Sequence, residues 1–372
     1  MRPSTLLPAL PLAAALPYTD ADLPLLAGIH TIYSYPSTAS PPQELLDLTR
    51  AGLVGGVILF GENINASLTP PGILALQDAY ASSPAPALLS RLYGIDDAPL
   101  LIVTDQEGGF VKRIPEGGPD TSAKVAGQQP DPEAAGRKAG GDAAATLKAY
   151  ENNGNLAPVL DVFAQEGNFI DRYERSYGNT SAVVIDAGVA FLLASQGKGV
   201  AAAAKHFPGL GTATRDQNTD LAPVTLNVTE DELRTVHIPP FAEAVDAGVD
   251  MIMPSWAVYP ALDPGIPAGM STVFIRDELR GRLGFGGVTV TDAIEAGAAM
   301  AVGGTTKRTA LLAAKAGMDL LLASGRDVEQ GVEVRESLEE AVAGGELDRE
   351  EFDAATGRIV RLRAKLAAAR RS

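Results

Sequence analysis

The stretch Pro99-Leu100-Leu101-Ile102-Val103-Thr104-Asp105-Gln106-Glu107-Gly108-Gly109 sets the pattern from which the fold is read. Its apolar residues run on without alternating with polar ones, which suits a strand buried on both faces of a parallel sheet. It ends in an ionisable residue, and the two glycines after it permit a tight turn and close approach of a ligand to the backbone. The pattern recurs at Gly28–Ser34, Val54–Phe60, Asn155–Val162, Val200–His206, Asp250–Ser255, Gly287–Asp292 and Met318–Ser324. With Pro99–Asp105 that makes eight predicted strands.

The segments between them are rich in Ala, Leu and charged residues at helical spacing, and they carry helix punctuation. Asp131-Pro132-Glu133 places a cap before a first-turn proline, with Gly154 past the end of the helix. Thr229 with Glu232 matches a capping box, Pro239-Pro240 is expected to break that helix, and Phe241–Ala247 then ends at Gly248. Gly317 closes Thr305–Ala316 in the same way, and Arg326–Ala343 and Asp348–Arg371 read as amphipathic helices packed outside the sheet. Eight strand–helix units in roughly 250 to 400 residues are the arithmetic of a (β/α)8 TIM barrel with extra C-terminal helices. An open dinucleotide-binding sheet requires a Gly-rich turn after its first strand. Gly197-Lys198-Gly199, the nearest match, precedes a strand instead.

Composition narrows the function. The chain has 372 residues, 46 acidic and 30 basic, giving a formal charge of −16. That argues against nucleic acid or an anionic membrane surface as a partner. No apolar run approaches the ~20 residues of a membrane-spanning helix. The absence of cysteine excludes disulfides, thiolate chemistry and Cys-bound zinc, and having only three histidines argues against a poly-His metal centre. Met1 to Pro17 faintly resembles a signal peptide but is interrupted by Pro8 and Pro11. The expectation is therefore an N-terminal arm over residues 1–27, a single barrel domain over 28–372 and a cytoplasmic location, with secretion as the alternative.

Active sites of such barrels are built where the strand C-terminal ends converge. Here those ends carry Asp105, Asp161, Lys205-His206 and Asp292, a polar set able to hold a hydroxyl-rich ligand. The blander readings are helix caps for Asp105 and Asp292 and a rim ion pair for Lys205-His206. His30, inside the first strand, and His237, in a helical stretch, read as structural.

Five motifs occur in order: Ile102-Val103-Thr104-Asp105-Gln106-Glu107-Gly108-Gly109, Asn155-Leu156-Ala157-Pro158-Val159-Leu160-Asp161-Val162, Arg175-Ser176-Tyr177-Gly178, Lys205-His206-Phe207-Pro208-Gly209 and Gly287-Val288-Thr289-Val290-Thr291-Asp292. Together, over about Val54 to Ala323, the set resembles glycoside hydrolase family 3, in its single-domain, NagZ-like β-N-acetylhexosaminidase branch. Tyr259–Pro264 and Leu283-Gly284-Phe285 add to the likeness. The resemblance implies a retaining exo-β-glycosidase acting on terminal β-N-acetylglucosamine of peptidoglycan- or chitin-type fragments. It makes Asp292 the nucleophile, which forms a covalent glycosyl-enzyme. Sugar binding goes to Asp105, Arg113, Arg175, Lys205 and His206, and no cofactor or metal is called for.

The chain departs from that pattern where the family places its proton donor. A histidine is expected after Lys-His-Phe-Pro-Gly and another in an Asp-x-His pair; the chain has Leu210 and Asp216-Gln217-Asn218. An asparagine amide cannot donate a proton at neutral pH, so a general-acid contribution of ~10²–10⁴-fold has to come from elsewhere. Asp216 is the nearest acid, with Asp220 and Glu166 behind it. The alternative function is a catalytically impaired relative that binds sugar. Ala293 follows the nucleophile where the family often has a second Asp. Trp256 ends the sixth strand where the family has a histidine, and the expectation is a tryptophan at the pocket rim, stacking on a sugar or simply packing.

Overall fold

A computed structural model describes residues 16–371. The signal-like stretch Met1 to Pro17 lies outside the described residues except for Leu16 and Pro17, as does much of the arm read over 1–27. Eight parallel strands close into a barrel: β1 (Thr31–Tyr33), β2 (Gly56–Ile58), β3 (Leu101–Thr104), β4 (Gly154–Asn155), β5 (Ala201–Phe207), β6 (Met251–Pro254), β7 (Val288–Ala293) and β8 (Leu320–Leu322). Each strand pairs with its sequence neighbours, and β8 returns to β1 through Thr31 opposite Leu321. This is the (β/α)8 barrel that the sequence predicts.

Both faces of these strands are buried, which is why their sequences do not alternate. Ile32, Leu101, Val103, Ala201, Ala203, Met251, Met253, Val288, Val290, Leu320 and Leu322 share one apolar cluster. Their alternates Val57, Ile102, Ala202, Ala204 and Ile252 belong to other clusters, with the surrounding helices. A period of two with apolar residues in both phases is the signature of a barrel strand between a filled interior and a helical jacket.

Strand ends depart most from the sequence reading at the first and fourth strands. Gly28 and Ile29 belong to a helix, Leu23–Ile29, opened by Pro24 in its first turn, and His30 is its cap residue. The fourth predicted strand contributes only Gly154–Asn155 to the ladder, with one further bridge from Val159 to Lys205.

The helix signals act as their chemistry requires. Asp131 accepts the Ala134 amide at 2.9 Å and Pro132 opens the helix Pro132–Ala149. Thr229 accepts the Glu232 amide at 3.2 Å. Pro239-Pro240 does not break that helix into a loop. The chain passes from Glu230–Glu232 through a π turn at Leu233–His237 into Pro239–Asp246, whose first turn holds the prolines where their missing amides cost nothing. Gly317, at φ +108°, closes Thr306–Ala316.

After β8 the helices Val328–Ala343 and Arg349–Arg371 follow, and the second ties the N-terminal end of the barrel together. Arg363 is fully buried and donates to the carbonyl of Ala98 at 2.7 Å. Asp319, just before β8 and fully buried, accepts from Arg280 and Arg358, each at 2.7 Å, and from the Thr289 amide at 3.0 Å. Burial alone pushes the Asp319 carboxyl up; the two guanidinium groups outweigh it and hold it below the ordinary aspartate value. Residue His30 bonds the Asp319 carbonyl and the Thr356 hydroxyl, each at 2.7 Å, and burial lowers its pKa to about 4. It is the structural histidine that the sequence indicates. Asp319→Ala should strand two arginines at this end and lower stability by about 3–5 kcal/mol. Urea unfolding would read this; an unchanged midpoint would show that the network is dispensable.

Candidate active site

At the opposite end, the strand C-termini open into a cavity of about 550 Å³. Ile58, Leu156, Leu210, Met253 and Leu322 give it apolar walls, and Asp105, Arg113, Arg175, Lys205, His206 and Asp292 all line it. The structure thus brings together six of the eight residues singled out from the sequence. The other two, Asp216 and Trp256, lie elsewhere.

Lys205 organises the cavity floor. Its ammonium is 2.7 Å from Asp105 Oδ1 and 2.7 Å from Glu107 Oε1, with its side chain only 3% exposed. Glu107 is itself gripped by Arg175, through Nε at 2.9 Å and a second guanidinium nitrogen at 2.8 Å. Arg113 adds a longer contact to Asp105 Oδ2 at 3.5 Å, and its buried Nε has no protein partner. Burial pushes both carboxyls up, yet the cations more than offset it. Lys205 and Arg113 hold Asp105 far below its ordinary value, and Arg175 and Lys205 bring Glu107 down to about 2. Burial works against the Lys205 ammonium, and the two carboxylates reverse it, raising its pKa. All these groups are therefore charged at neutral pH and locked in place.

His206 is held from behind by Asp161. Its Nδ1 lies 2.7 Å from Asp161 Oδ2, while Asp161 Oδ1 accepts the amides of His206 at 3.2 Å and Leu210 at 2.6 Å. Burial raises the Asp161 carboxyl, and the His206 ring and these amides overcome that to lower it. The other imidazole nitrogen is left to serve a ligand. Asp292, at the end of β7, accepts only the neighbouring Ala293 amide, at 2.8 Å, so its second oxygen is unencumbered.

Two expectations are corrected. Trp256 is not at the rim: it is 1% exposed, and its indole Nε1 donates to the Ala293 carbonyl at 2.9 Å. A side chain at Gly269 would strike its ring at 2.6 Å, so this glycine lets the backbone close over the indole. The tryptophan packs beneath β7 and steadies the residue after Asp292. Asp216 is exposed and lies outside the cavity lining, whereas Asn218, Thr219 and Asp220 of the same loop line it, Asp220 with its side chain still open to solvent.

Sequence reasoning passed over Glu107, read as part of a turn, and did not place Glu295, Arg326, Phe110 or Tyr173 at the cavity. The signal for Glu107 was charge balance: a buried lysine and arginine need more than one counterion. Phe110 is 72% exposed at the tip of the hairpin after β3, and Tyr173 is half-exposed, so both stand at the mouth.

The Glycosyl hydrolase family 3 N terminal domain model matches residues 32–362. The chain belongs to glycoside hydrolase family 3. It is 46% identical over 357 residues to an "Uncharacterized secreted glycosyl hydrolase" of Arthroderma benhamiae, covering 96% of this chain and 97% of that one. To the "Beta-hexosaminidase" of Nitrosomonas eutropha it is 33% identical, covering 73% of each. Its fold superimposes on a family 3 β-N-acetylglucosaminidase from Paenibacillus sp. str. FPU-7 with a TM-score of 0.82 at 31% identity, covering 93% of this chain and 62% of that one. The cytoplasmic location expected from the sequence is overturned by the Arthroderma relative, which is secreted and matches nearly end to end. No helix among the described residues is long and apolar enough to cross a membrane.

If the Glu107 pairings hold the floor rigid, Glu107→Gln should lower stability at neutral pH by about 3–5 kcal/mol by leaving Lys205 and Arg175 short of a counterion. The sign with pH follows from the depressed carboxyl: its contribution is complete above its ordinary value of 4.5 and is lost as pH falls towards 2. The variant should therefore lose less stability than the parent across that window. Parallel curves in pH-dependent urea unfolding would remove Glu107 from the account.

Proposed function

We propose that this chain is a retaining exo-acting β-N-acetylglucosaminidase working outside the cytoplasm on chitin- or peptidoglycan-type fragments, through a covalent intermediate on Asp292. The observation that carries it is Asp292 standing at the end of β7, in the cavity, with one oxygen free of protein partners. A carboxylate so placed can attack the anomeric carbon as oxocarbenium character develops and depart when water attacks. Across the cavity, Asp105 accepts, Lys205, Arg113 and Arg175 donate, and His206 can do either, a set that holds ring hydroxyls in one orientation. The N-acetylglucosamine preference draws on the named activity of the Paenibacillus enzyme, and the extracellular setting on the Arthroderma relative.

A second reading, a sugar-binding relative of low turnover, is favoured by one feature: Asn218 stands where the family's proton-donating histidine is expected, and Asp216 points away. Turnover separates the two. Hydrolysis of an aryl β-N-acetylglucosaminide should release the β anomer first, as seen by NMR. Asp292→Ala should lower the rate by on the order of 10⁴-fold or more, with an unchanged melting curve because the side chain lines a cavity. Binding without turnover supports the second reading, and initial release of the α anomer rules out the retaining course.

A further inference from the structure

The loop after β5 is docked onto the loop after β7. The Gly297 amide donates to the Asp220 carbonyl at 2.8 Å and the Ala298 amide to the Thr219 carbonyl at 3.0 Å. Gly297 makes this approach possible, since a Cβ there would lie 2.3 Å from the Leu221 carbonyl oxygen. Within the loop, Asn218 Oδ1 accepts the Asp220 amide at 2.9 Å. Three hydrogen bonds thus fix Asp220 against the strand end that carries Asp292, and both residues line the cavity.

The remaining carboxyls there are committed. Asp105 is paired with Lys205 and Arg113. Glu295 accepts from the Ser324 hydroxyl at 2.6 Å, the Ser324 amide at 3.2 Å and Gln330 at 3.0 Å, so its oxygens are occupied as acceptors. Asp292 is the nucleophile of the proposed reaction. Among the cavity-lining residues, Asp220 is the carboxyl with no hydrogen bond and no ion pair to its side chain. The charged groups acting on it are Asp292 and Glu295 from the β7 loop, His206 from β5 and Arg175 from the β4 loop. Burial first, then the charge of Asp292, pushes its pKa up, against the opposing influence of His206 and Arg175. Two neighbouring carboxyls, one of them with its pKa raised, are the arrangement from which acid and nucleophile roles can divide.

We propose that Asp220 is the general acid/base of this enzyme, in the place left by the asparagine at 218. The inference rests on the glycosidase reading above. In the first step Asp292 bonds to the anomeric carbon, the bond from that carbon to the leaving oxygen breaks, and the Asp220 proton goes to the departing oxygen. In the second, water bonds to the same carbon, its proton passes to the Asp220 carboxylate, and the ester to Asp292 breaks. Asn218 becomes a positioning residue, orienting the Asp220 backbone.

The experiment compares the full chain with Asp220→Asn and Asp220→Ala on aryl β-N-acetylglucosaminides of graded leaving group and on chitobiose, with and without azide, across pH. Both variants should lose ~10²–10⁴-fold on chitobiose, where departure needs protonation. They should lose far less in the first step with a dinitrophenyl leaving group. The basic limb of kcat/KM should vanish, and azide should restore turnover by giving the β-glycosyl azide. Circular dichroism melts identify folded protein, and with two substitutions at a side chain lacking protein partners the readout does not hang on one variant. An unaltered protein inactive on every aryl glycoside overturns the glycosidase reading and this inference with it. An active parent whose chitobiose turnover and basic limb survive in both variants, or are lost instead in Asp216→Asn, overturns the assignment of Asp220 alone.

Discussion

The active-site end depends on one buried ammonium. Lys205 sits between Asp105 and Glu107 at 2.7 Å from each, almost wholly removed from water. A lone buried lysine would lose its proton, and a lone buried pair of carboxylates would gain one. Together, and with Arg175 closing on Glu107, they stay charged, and each fixes the position of the others. The network joins β5, the turn after β3 and the loop after β4, so this side of the cavity is set by electrostatics that cannot relax without exposing a charge. The family's barrel supplies the strands; this cluster decides where their ends stand.

A second constraint works by shape. Gly269 and Gly297 each sit where a Cβ would collide with a neighbour, the Trp256 ring at the first and the Leu221 backbone at the second. At the first, the chain closes over the Trp256 ring, whose indole then holds the Ala293 carbonyl. At the second, the β5 loop comes down on the start of the helix Gly297–Gly303. Both contacts converge on the short segment containing Asp292, one from beneath and one from the side. Asp292 therefore has few protein partners of its own but a firmly held backbone, which suits the nucleophile role proposed for it.

The barrel was legible because eight unalternating apolar runs can be buried only on both faces, and the acids at Asp105 and Asp292 were legible because each ended such a run. The boundaries were less so: Gly28-Ile29 reads equally well as strand or helix, and only packing of Leu23, Leu26 and Ala27 in the interior decides for helix. Trp256 was ambiguous for a physical reason. A large aromatic at a strand end can face the ligand or the core, and the choice was made by Gly269, 13 positions further along the chain. Glu107 was hidden because the glycines after it spoke for a turn, while its partners Arg175 and Lys205 lie 68 and 98 positions away in the numbering. Asp216 and Asp220 each stand two positions from Asn218, and spacing in a loop says little about which of the two lines the cavity.

The same pairings bear on what the cavity can hold. Its cations are matched one after another: Lys205 by Asp105 and Glu107, Arg175 by Glu107, Arg113 by Asp105, and Arg326 by Glu62 at 3.0 Å. Asp220, Asp292 and Glu295 have no such cation. The surroundings as a whole therefore offer no surplus of positive charge, and the chain's −16 adds a repulsive background for anions. A phosphate or carboxylate ligand would have to displace a buried carboxylate from its cation, at the cost of stranding that carboxylate. A neutral hydroxyl-rich ring asks for nothing of the kind. It can accept from Arg113 and donate to Asp105 while their mutual contact persists, and it leaves the Lys205 network intact. The apolar walls of Ile58, Leu156, Met253 and Leu322 exclude water from around such a ring and strengthen those hydrogen bonds. Recognition by paired charges thus favours a neutral sugar residue in the cavity, and leaves any charged portion of a longer substrate to the open mouth around Phe110 and Tyr173.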